Sequence, residues 1–256
     1  MKILLVYNTK ENLFEYTRLL EERLLCFTED LVVCNDLEKI NCAFSQNFDA
    51  IILSGSSLNL SQPNKMHYFS KSLSILLRYP DTPVLGICFG MQLIVACYGG
   101  NISRLEINKE EECAIQVKEN SVLFGGTPVC CNVTLSHQDF VISVPPDFSV
   151  YSKKDETIQV VESLKYLRFG VQFHPEKRVK NEQHCVLTNF FSFLKEKNHI
   201  PKYLSLDSYY TRIFLIKNSG RIIIDKSKET IVDKIFWTKM WNQHRMYWNI
   251  QALLIC

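Results

Sequence analysis

A cysteine set between two glycines constrains the fold of this chain more than any other feature. The apolar run Val84–Ile87 is short enough to be a buried parallel strand, and a helical pattern of apolar residues begins at Met91. Between them lies Cys88, flanked by Gly86 and Gly90. A turn that brings a strand end so close to a helix start leaves no room for Cβ atoms at the glycines. We therefore predict a strand, a sharp turn with Cys88 at its tip, and a helix.

The predicted position of Cys88 also indicates reactivity. Unpaired N–H groups and the positive end of the helix dipole favour a thiolate over a thiol at a helix N-terminus. An isolated cysteine is more often a buried core residue. The two glycines shift the balance towards a nucleophile, by analogy with the tight turn that carries the catalytic serine in many hydrolases.

Composition excludes few classes of function. The chain has 256 residues and a net charge of +2, so charge predicts neither a nucleic-acid partner nor a membrane partner. No apolar run approaches the roughly 18 residues of a transmembrane helix, and no signal-peptide cleavage site is recognisable. Ten cysteines in such a chain indicate a reducing compartment, so we expect a cytoplasmic protein with free thiols. No cysteine spacing is typical of a metal site, and we expect no metal and no cofactor.

Short apolar runs alternate with helical patterns over residues 1–110, which predicts an α/β fold: an open, mostly parallel sheet with helices on both faces. Sites in such sheets form at the carboxyl ends of the strands, where Cys88 and the turn at residues 54–57 both lie. The predicted strands are residues 3–7, 31–34, 50–53 and 84–87, and the predicted helices are residues 14–25 and 66–77.

After residue 100 the pattern changes to strands separated by turns. This change predicts antiparallel strands that complete the sheet and add a small second sheet, followed by a closing helix over residues 182–195. The predicted strands are residues 113–117, 129–135, 148–152, 158–163 and 166–173.

The end of the chain differs from the rest. Residues 200–256 carry all three tryptophans and nine Lys or Arg against four Asp or Glu. Their pattern predicts a hairpin formed by residues 209–216 and 221–224, and a helix over residues 229–254. We therefore divide the chain into one domain, residues 1–196, and a C-terminal extension of unknown role, residues 197–256.

A cysteine nucleophile needs a base, and the base needs an orienting group. His174 stands out among the six histidines because it ends a buried-type strand at the same predicted edge of the sheet as Cys88. Pro175 bends the chain after it, and Glu176 can hold the second imidazole nitrogen. We therefore predict Cys88, His174 and Glu176 as a catalytic triad.

Two further segments are candidate parts of the site. The turn at residues 54–57, Ser-Gly-Ser-Ser, can aim backbone N–H groups at a developing oxyanion, with the N–H of Phe89 as a second donor. Residues 134–139 follow a predicted strand in a loop position, and they form either an ordinary polar turn or a substrate-positioning loop.

Together these motifs resemble class I, triad-type glutamine amidotransferases, and within them the glutaminase domain or subunit of GMP synthase. The resemblance covers residues 1–196, and the Ser-His-x-Asp sequence is characteristic of the GMP synthase group. It implies a flavodoxin-like fold. The matching segments, in order, are residues 51–55, 86–92, 98–102, 136–139 and 172–176.

The resemblance also implies a reaction in which glutamine is the substrate and the partner is an ammonia-accepting synthase subunit. Cys88 would attack the side-chain amide of glutamine, His174 would move the proton, and Glu176 would orient the imidazole. A glutamyl thioester would then be hydrolysed by water. The oxyanion would be held by backbone N–H groups of Gly55 or Ser56 and of Phe89, and the substrate's polar groups by Gln92, Ser136, His137 and Asp139.

The chain departs from the family pattern in the turn at residues 54–57, in the absence of a recognisable synthase segment and in its C-terminal extension, and two other functions stay open. The family usually has Ser-Gly-Gly-Pro where this chain has Ser-Gly-Ser-Ser; if the third position needs a positive φ, Ser56 strains the turn by about 1 kcal/mol or more. No ATP-pyrophosphatase phosphate loop follows residue 196. The alternatives are a γ-glutamyl hydrolase or peptidase on the same fold, and a non-catalytic binding module.

Overall fold

A computed structural model describes residues 1–8, 14–34, 43–61, 70–126, 129–177 and 185–198. The hairpin and helix predicted after residue 200 lie outside these residues. The described helices are α1 (Phe14–Leu24), α2 (Ser70–Arg78), α3 (Phe89–Cys97) and α4 (Val186–Asn198). The described strands are β1 (Lys2–Val6), β2 (Asp30–Cys34), β3 (Ala50–Leu53), β4 (Val84–Ile87), β5 (Asn101–Val117), β6 (Val129–Ser143), β7 (Ser149–Lys154), β8 (Thr157–Ser163) and β9 (Arg168–Val171).

Seven of these strands form one sheet in the order β2-β1-β3-β4-β9-β8-β7, and β5 and β6 form a separate antiparallel ribbon. Strands β2, β1, β3, β4 and β9 are parallel, whereas β8 and β7 add antiparallel pairs at one end. The predicted fold class, a mostly parallel sheet with a small antiparallel sheet, is confirmed.

Helices cover both faces of the sheet, because side chains alternate between two cores along each buried strand. On β1, Ile3 and Leu5 face the core that includes Phe190 of α4, while Leu4 and Val6 face the core that includes Leu93 of α3. The central strands are buried on both sides, so the carboxyl edge of the sheet is held rigidly on a packed base.

The ribbon differs from its sequence-based prediction. Strand β6 does not end at residue 135 but continues to Ser143, so Ser136, His137 and Asp139 lie in a strand and not in a loop. The reason is a period of two in which Val133, Leu135, His137 and Asp139 are buried. Polar residues on the buried face of a strand resemble a loop in sequence, but here they face a cavity.

Glu162 on β8 carries a buried carboxylate that caps the short 3₁₀ helix Val122–Phe124. It accepts hydrogen bonds from the hydroxyl of Ser121 (2.6 Å) and the N–H groups of Val122 (2.9 Å) and Leu123 (3.0 Å). Burial raises the pKa of this carboxyl, although the three hydrogen bonds oppose the rise. The cap thus links the segment after β5 to the main sheet.

We expect Glu162→Gln to destabilise the protein by about 1–3 kcal/mol, because an amide cannot accept from all three donors and one buried N–H loses its partner. Urea unfolding measures this change. Glu156→Gln, at an exposed position in the turn before β8, is the control and should change stability by less than about 0.5 kcal/mol. Equal stabilities of the two variants would contradict the capping role.

Candidate active site

The turn that carries Cys88 has the geometry of a strained nucleophile-bearing turn. Strand β4 ends at Ile87 and helix α3 begins at Phe89, so Cys88 alone connects them, with φ 51° and ψ −107°. A Cβ atom on Gly86 would lie 2.4 Å from the carbonyl carbon of Gly90, and one on Gly90 would lie 2.4 Å from the carbonyl oxygen of Leu53. The close approach predicted for both glycines is confirmed.

His174 and Glu176 lie beside Cys88 at the carboxyl edge of the sheet. The Nδ1 atom of His174 is 2.7 Å from Oε1 of Glu176, and the sulfur of Cys88 lies beside the same imidazole. All three side chains are buried. Strands β4 and β9 pair in parallel with Ile87 opposite Val171, so both chain segments leave the sheet at the same level.

The surroundings of His174 favour its protonated, imidazolium form. Burial by itself lowers the pKa of His174. The Glu176 carboxylate and the Cys88 sulfur have the larger, opposite effect, and together they raise the pKa from its ordinary value of 6.5 to about 10. Pairing with Glu176 therefore stabilises the folded state fully below about pH 6.5, and this contribution is lost as pH rises through about 10.

We expect Glu176→Gln to lower the pKa of His174, because it removes the charge that stabilises the imidazolium. NMR titration of the imidazole nitrogens in wild type and variant measures the change without any substrate. A His174 pKa in the variant within about half a unit of the wild-type value would contradict this assignment of the charge partner.

A cavity of about 380 Å³ opens above the cysteine. Its volume lies at the lower end of the range typical of small-molecule sites. Among the predicted site residues, Phe89 alone does not line the cavity. It directly follows Cys88 in the chain, and its side chain is buried in the core. The lining comprises Tyr7, Leu20, Ser54, Gly55, Ser56, Ser57, Leu58, Asn59, Cys88, Gln92, Asn108, Ser136, His137, Gln138, Asp139, His174, Glu176 and Lys177.

The turn after β3 packs directly against the cysteine and histidine. A Cβ atom on Gly55 would lie 2.9 Å from Cε1 of His174 and 3.6 Å from Cβ of Cys88, so this position has no space for a side chain. Ser56 has no positive φ, and the strain considered for it is therefore absent. Its hydroxyl donates to the carbonyl of Asn8 (2.6 Å) and accepts from the N–H of Leu58 (3.0 Å), which holds the turn without a glycine there.

Asp139 joins the loop after β3 to the ribbon. Its two carboxylate oxygens accept from the N–H of Ser61 (2.7 Å) and the hydroxyl of Ser61 (2.6 Å). Arg104 donates to the same hydroxyl (3.3 Å) and to Gln138 (2.6 Å). Asp139 lines the cavity as predicted for a substrate contact, but its carboxylate already binds protein. No local motif marks Ser61, which lies 78 residues earlier in the chain.

His137 is neutral and buried. Burial lowers its pKa to about 4, although a hydrogen bond to the Asp139 carbonyl opposes the shift. Because Nδ1 lies 3.1 Å from that carbonyl, we assign the proton to Nδ1. The Nε2 atom then has a free lone pair, and no donor in the described part of the chain reaches it.

Other kinds of site receive no support from the described ranges. These residues contain no group of three or more His, Cys, Asp or Glu side chains placed to hold a metal ion. Among the helices that the structure describes, none has the length and apolar character required to span a bilayer.

Comparison with known proteins agrees with the geometry. The family model "Glutamine amidotransferase class-I" matches residues 8–193. The glutamine-hydrolysing GMP synthase of Petrotoga mobilis is 30% identical over 225 residues, which are 86% of this chain and 39% of that protein. A subunit of the glutamine-hydrolysing GMP synthase of Methanococcus maripaludis is 40% identical over 113 residues, 43% of this chain and 59% of that protein. The match therefore spans less than two thirds of either relative.

A solved structure shares the fold. A candidate GMP synthase subunit from Thermoplasma acidophilum superposes with a TM-score of 0.61 over 78% of this chain and 97% of that chain, at 22% identity. The resemblance inferred from the motifs is thus confirmed by the family model over most of the chain. The chain belongs to the class I glutamine amidotransferase family.

Proposed function

We propose that this chain is a glutaminase that hydrolyses the side-chain amide of glutamine with Cys88 as the nucleophile. One observation carries the proposal: the sulfur of Cys88, on its strained turn, meets the His174–Glu176 pair at a cavity of small-molecule size. A nucleophile beside a base that is itself oriented by a carboxylate is the arrangement that acyl transfer requires.

The reaction proceeds in two halves. The Cys88 thiolate attacks the amide carbon of glutamine, and the protonated His174 gives its proton to the departing ammonia. Water then attacks the glutamyl thioester, His174 takes one of its protons, and glutamate leaves as the sulfur recovers its charge. Glutamine and water thus become glutamate and ammonia, with Glu176 keeping the imidazole in one orientation throughout.

Backbone N–H groups of Gly55 or Ser56 and of Phe89 stabilise the oxyanion of both tetrahedral intermediates. The support for this assignment is proximity: a Cβ atom added to Gly55 would meet both Cys88 and His174, and Phe89 is the first residue of α3. Donors fixed in a buried site need no reorganisation when charge develops, so each contributes more than it would in water.

The substrate's polar groups are held by Gln92 and by the backbone of Ser136 and His137. Gln92 uses its side-chain nitrogen within the protein, which leaves its carbonyl oxygen as an acceptor for the ammonium group of glutamine. The carbonyl of Ser136 lies 3.6 Å from the sulfur of Cys88, so this stretch of β6 borders the reacting atoms. Asp139 positions the loop after β3 through its hydrogen bonds with Ser61.

A separate synthase subunit consumes the ammonia. The support is the naming of relatives: those from Methanococcus maripaludis and Methanobrevibacter smithii are each named as one subunit of a glutamine-hydrolysing GMP synthase. A protein so named works with a second chain, and the ammonia released at Cys88 has a use only if an acceptor is close.

We expect a diazoketone analogue of glutamine to label Cys88 alone, because among the thiols that the structure describes only Cys88 lines the cavity, where it lies beside His174. Mass spectrometry of the labelled full chain, with Cys88→Ser as the control, locates the adduct. Labelling elsewhere, or none even with the synthase partner present, would overturn the proposal. Faster turnover of γ-glutamyl peptides than of glutamine would assign the same site to a γ-glutamyl hydrolase instead.

We expect Gly55→Ala to lower kcat for glutamine about tenfold or more, because the added Cβ, 2.9 Å from Cε1 of His174, displaces the imidazole. Steady-state kinetics measure the loss, and urea unfolding of the same variant shows whether the fold is retained. Wild-type kcat in a folded variant would contradict the close packing of this turn on the histidine.

A further inference from the structure

Gln172 is a fully buried amide that reaches the sulfur of Cys88 from the end of β9. Its side-chain nitrogen donates to the sulfur at 3.5 Å. Gln172 directly follows Val171, whose carbonyl accepts from the N–H of Cys88 at 2.7 Å. The amide is therefore fixed to the turn both through its own side chain and through the neighbouring backbone.

Neighbouring hydrogen bonds decide which end of the Gln172 amide faces the sulfur. Gln92 donates from its side-chain nitrogen to the side-chain oxygen of Gln172 (3.2 Å) and to the backbone carbonyl of Asp139 (2.6 Å). Because this nitrogen only donates, the oxygen of Gln172 must accept, and its nitrogen is directed to Cys88. Helix α3, β6 and β9 together fix the orientation.

We propose that Gln172 is a further catalytic residue, whose amide N–H stabilises the thiolate of Cys88. This inference rests on the proposed function, in which that thiolate is the nucleophile. A neutral thiol has a proton to donate, and the carbonyl of Ser136 lies 3.6 Å away to accept it. A thiolate can only accept, so the Gln172 donor favours the charged form while the Ser136 carbonyl favours the neutral one.

The burial of the amide increases its effect. Gln172 is inaccessible to solvent, so water does not replace its hydrogen bond to the sulfur when the charge forms. Hydrogen bonds to an ionised acceptor are stronger than those between neutral groups, and more so in a low-dielectric interior. In this proposal His174 transfers the proton, and the side-chain amide of Gln172 is a fixed hydrogen-bond donor to the sulfur.

The test compares Gln172→Met with Gln159→Met in the full chain. Gln159 is equally buried on the neighbouring strand, and its side chain binds Thr157 instead of the cysteine. Iodoacetamide alkylation of the peptide that contains Cys88 is followed by mass spectrometry across a pH series. We expect Gln172→Met to slow alkylation at neutral pH about tenfold or more and to move the profile to higher pH. Gln159→Met should alkylate like wild type.

Gln172→Glu provides a second variant should the methionine variant unfold. It keeps the size and the oxygen that Gln92 needs but places a carboxylate oxygen at the sulfur, so we expect alkylation to slow at least as much. Rates within twofold of wild type in a folded variant would overturn the inference, as would equal slowing in Gln159→Met. A raised KM for glutamine with unchanged alkylation would make Gln172 a substrate contact instead. Iodoacetamide needs no glutamine site, so these outcomes are separate from failure of the proposed function.

Discussion

The close packing of β4, the cysteine turn and helix α3 is the constraint on which the rest of the site depends. Cys88 adopts φ 51°, a conformation that costs a non-glycine residue about 1–3 kcal/mol. That cost is offset because Gly86, Gly90 and Gly170 let the helix lie against β3, β4 and β9 without Cβ clashes. The result is a sulfur displayed at the sheet edge on a backbone that cannot relax.

Electrostatics follow from this placement. A thiolate at Cys88, as we propose, is unfavourable in a buried site unless donors and a cation lie beside it, and the imidazolium of His174, oriented by Glu176, would be that cation. The turn sets where the sulfur lies, and Glu176 favours the imidazolium beside it, so the proposed site depends on both.

Local signals in the sequence were enough to predict the strands of the sheet and the cysteine turn, because each depends on residues close together in the chain. The assignment of Cys88, His174 and Glu176 as a catalytic triad stays a prediction, although the structure places the three side chains together. The continuation of β6 beyond residue 135, through His137 and Asp139, was missed because polar residues facing a cavity resemble a loop. The contacts of Ser61 with Asp139 and of Gln172 with Cys88 join segments 78 and 84 residues apart, and composition or spacing carries no trace of them. The strain considered at Ser56 depends on one backbone angle that residue type alone does not determine.

Strand register connects these distant contacts. Strands β4 and β9 pair so that Gly86 lies opposite Gly170 and Ile87 opposite Val171, which places Cys88 and Gln172 at the same level beyond the sheet. Side chains on neighbouring residues of a strand point to opposite faces, so a one-residue shift would turn Gln172 away from the sulfur and bring Phe173 in its place. The Gln92 bond to Gln172 stabilises the correct register from the helix side, because a phenyl ring could not accept it. The polar residues around Cys88 therefore help to specify the strand alignment that the proposed chemistry needs.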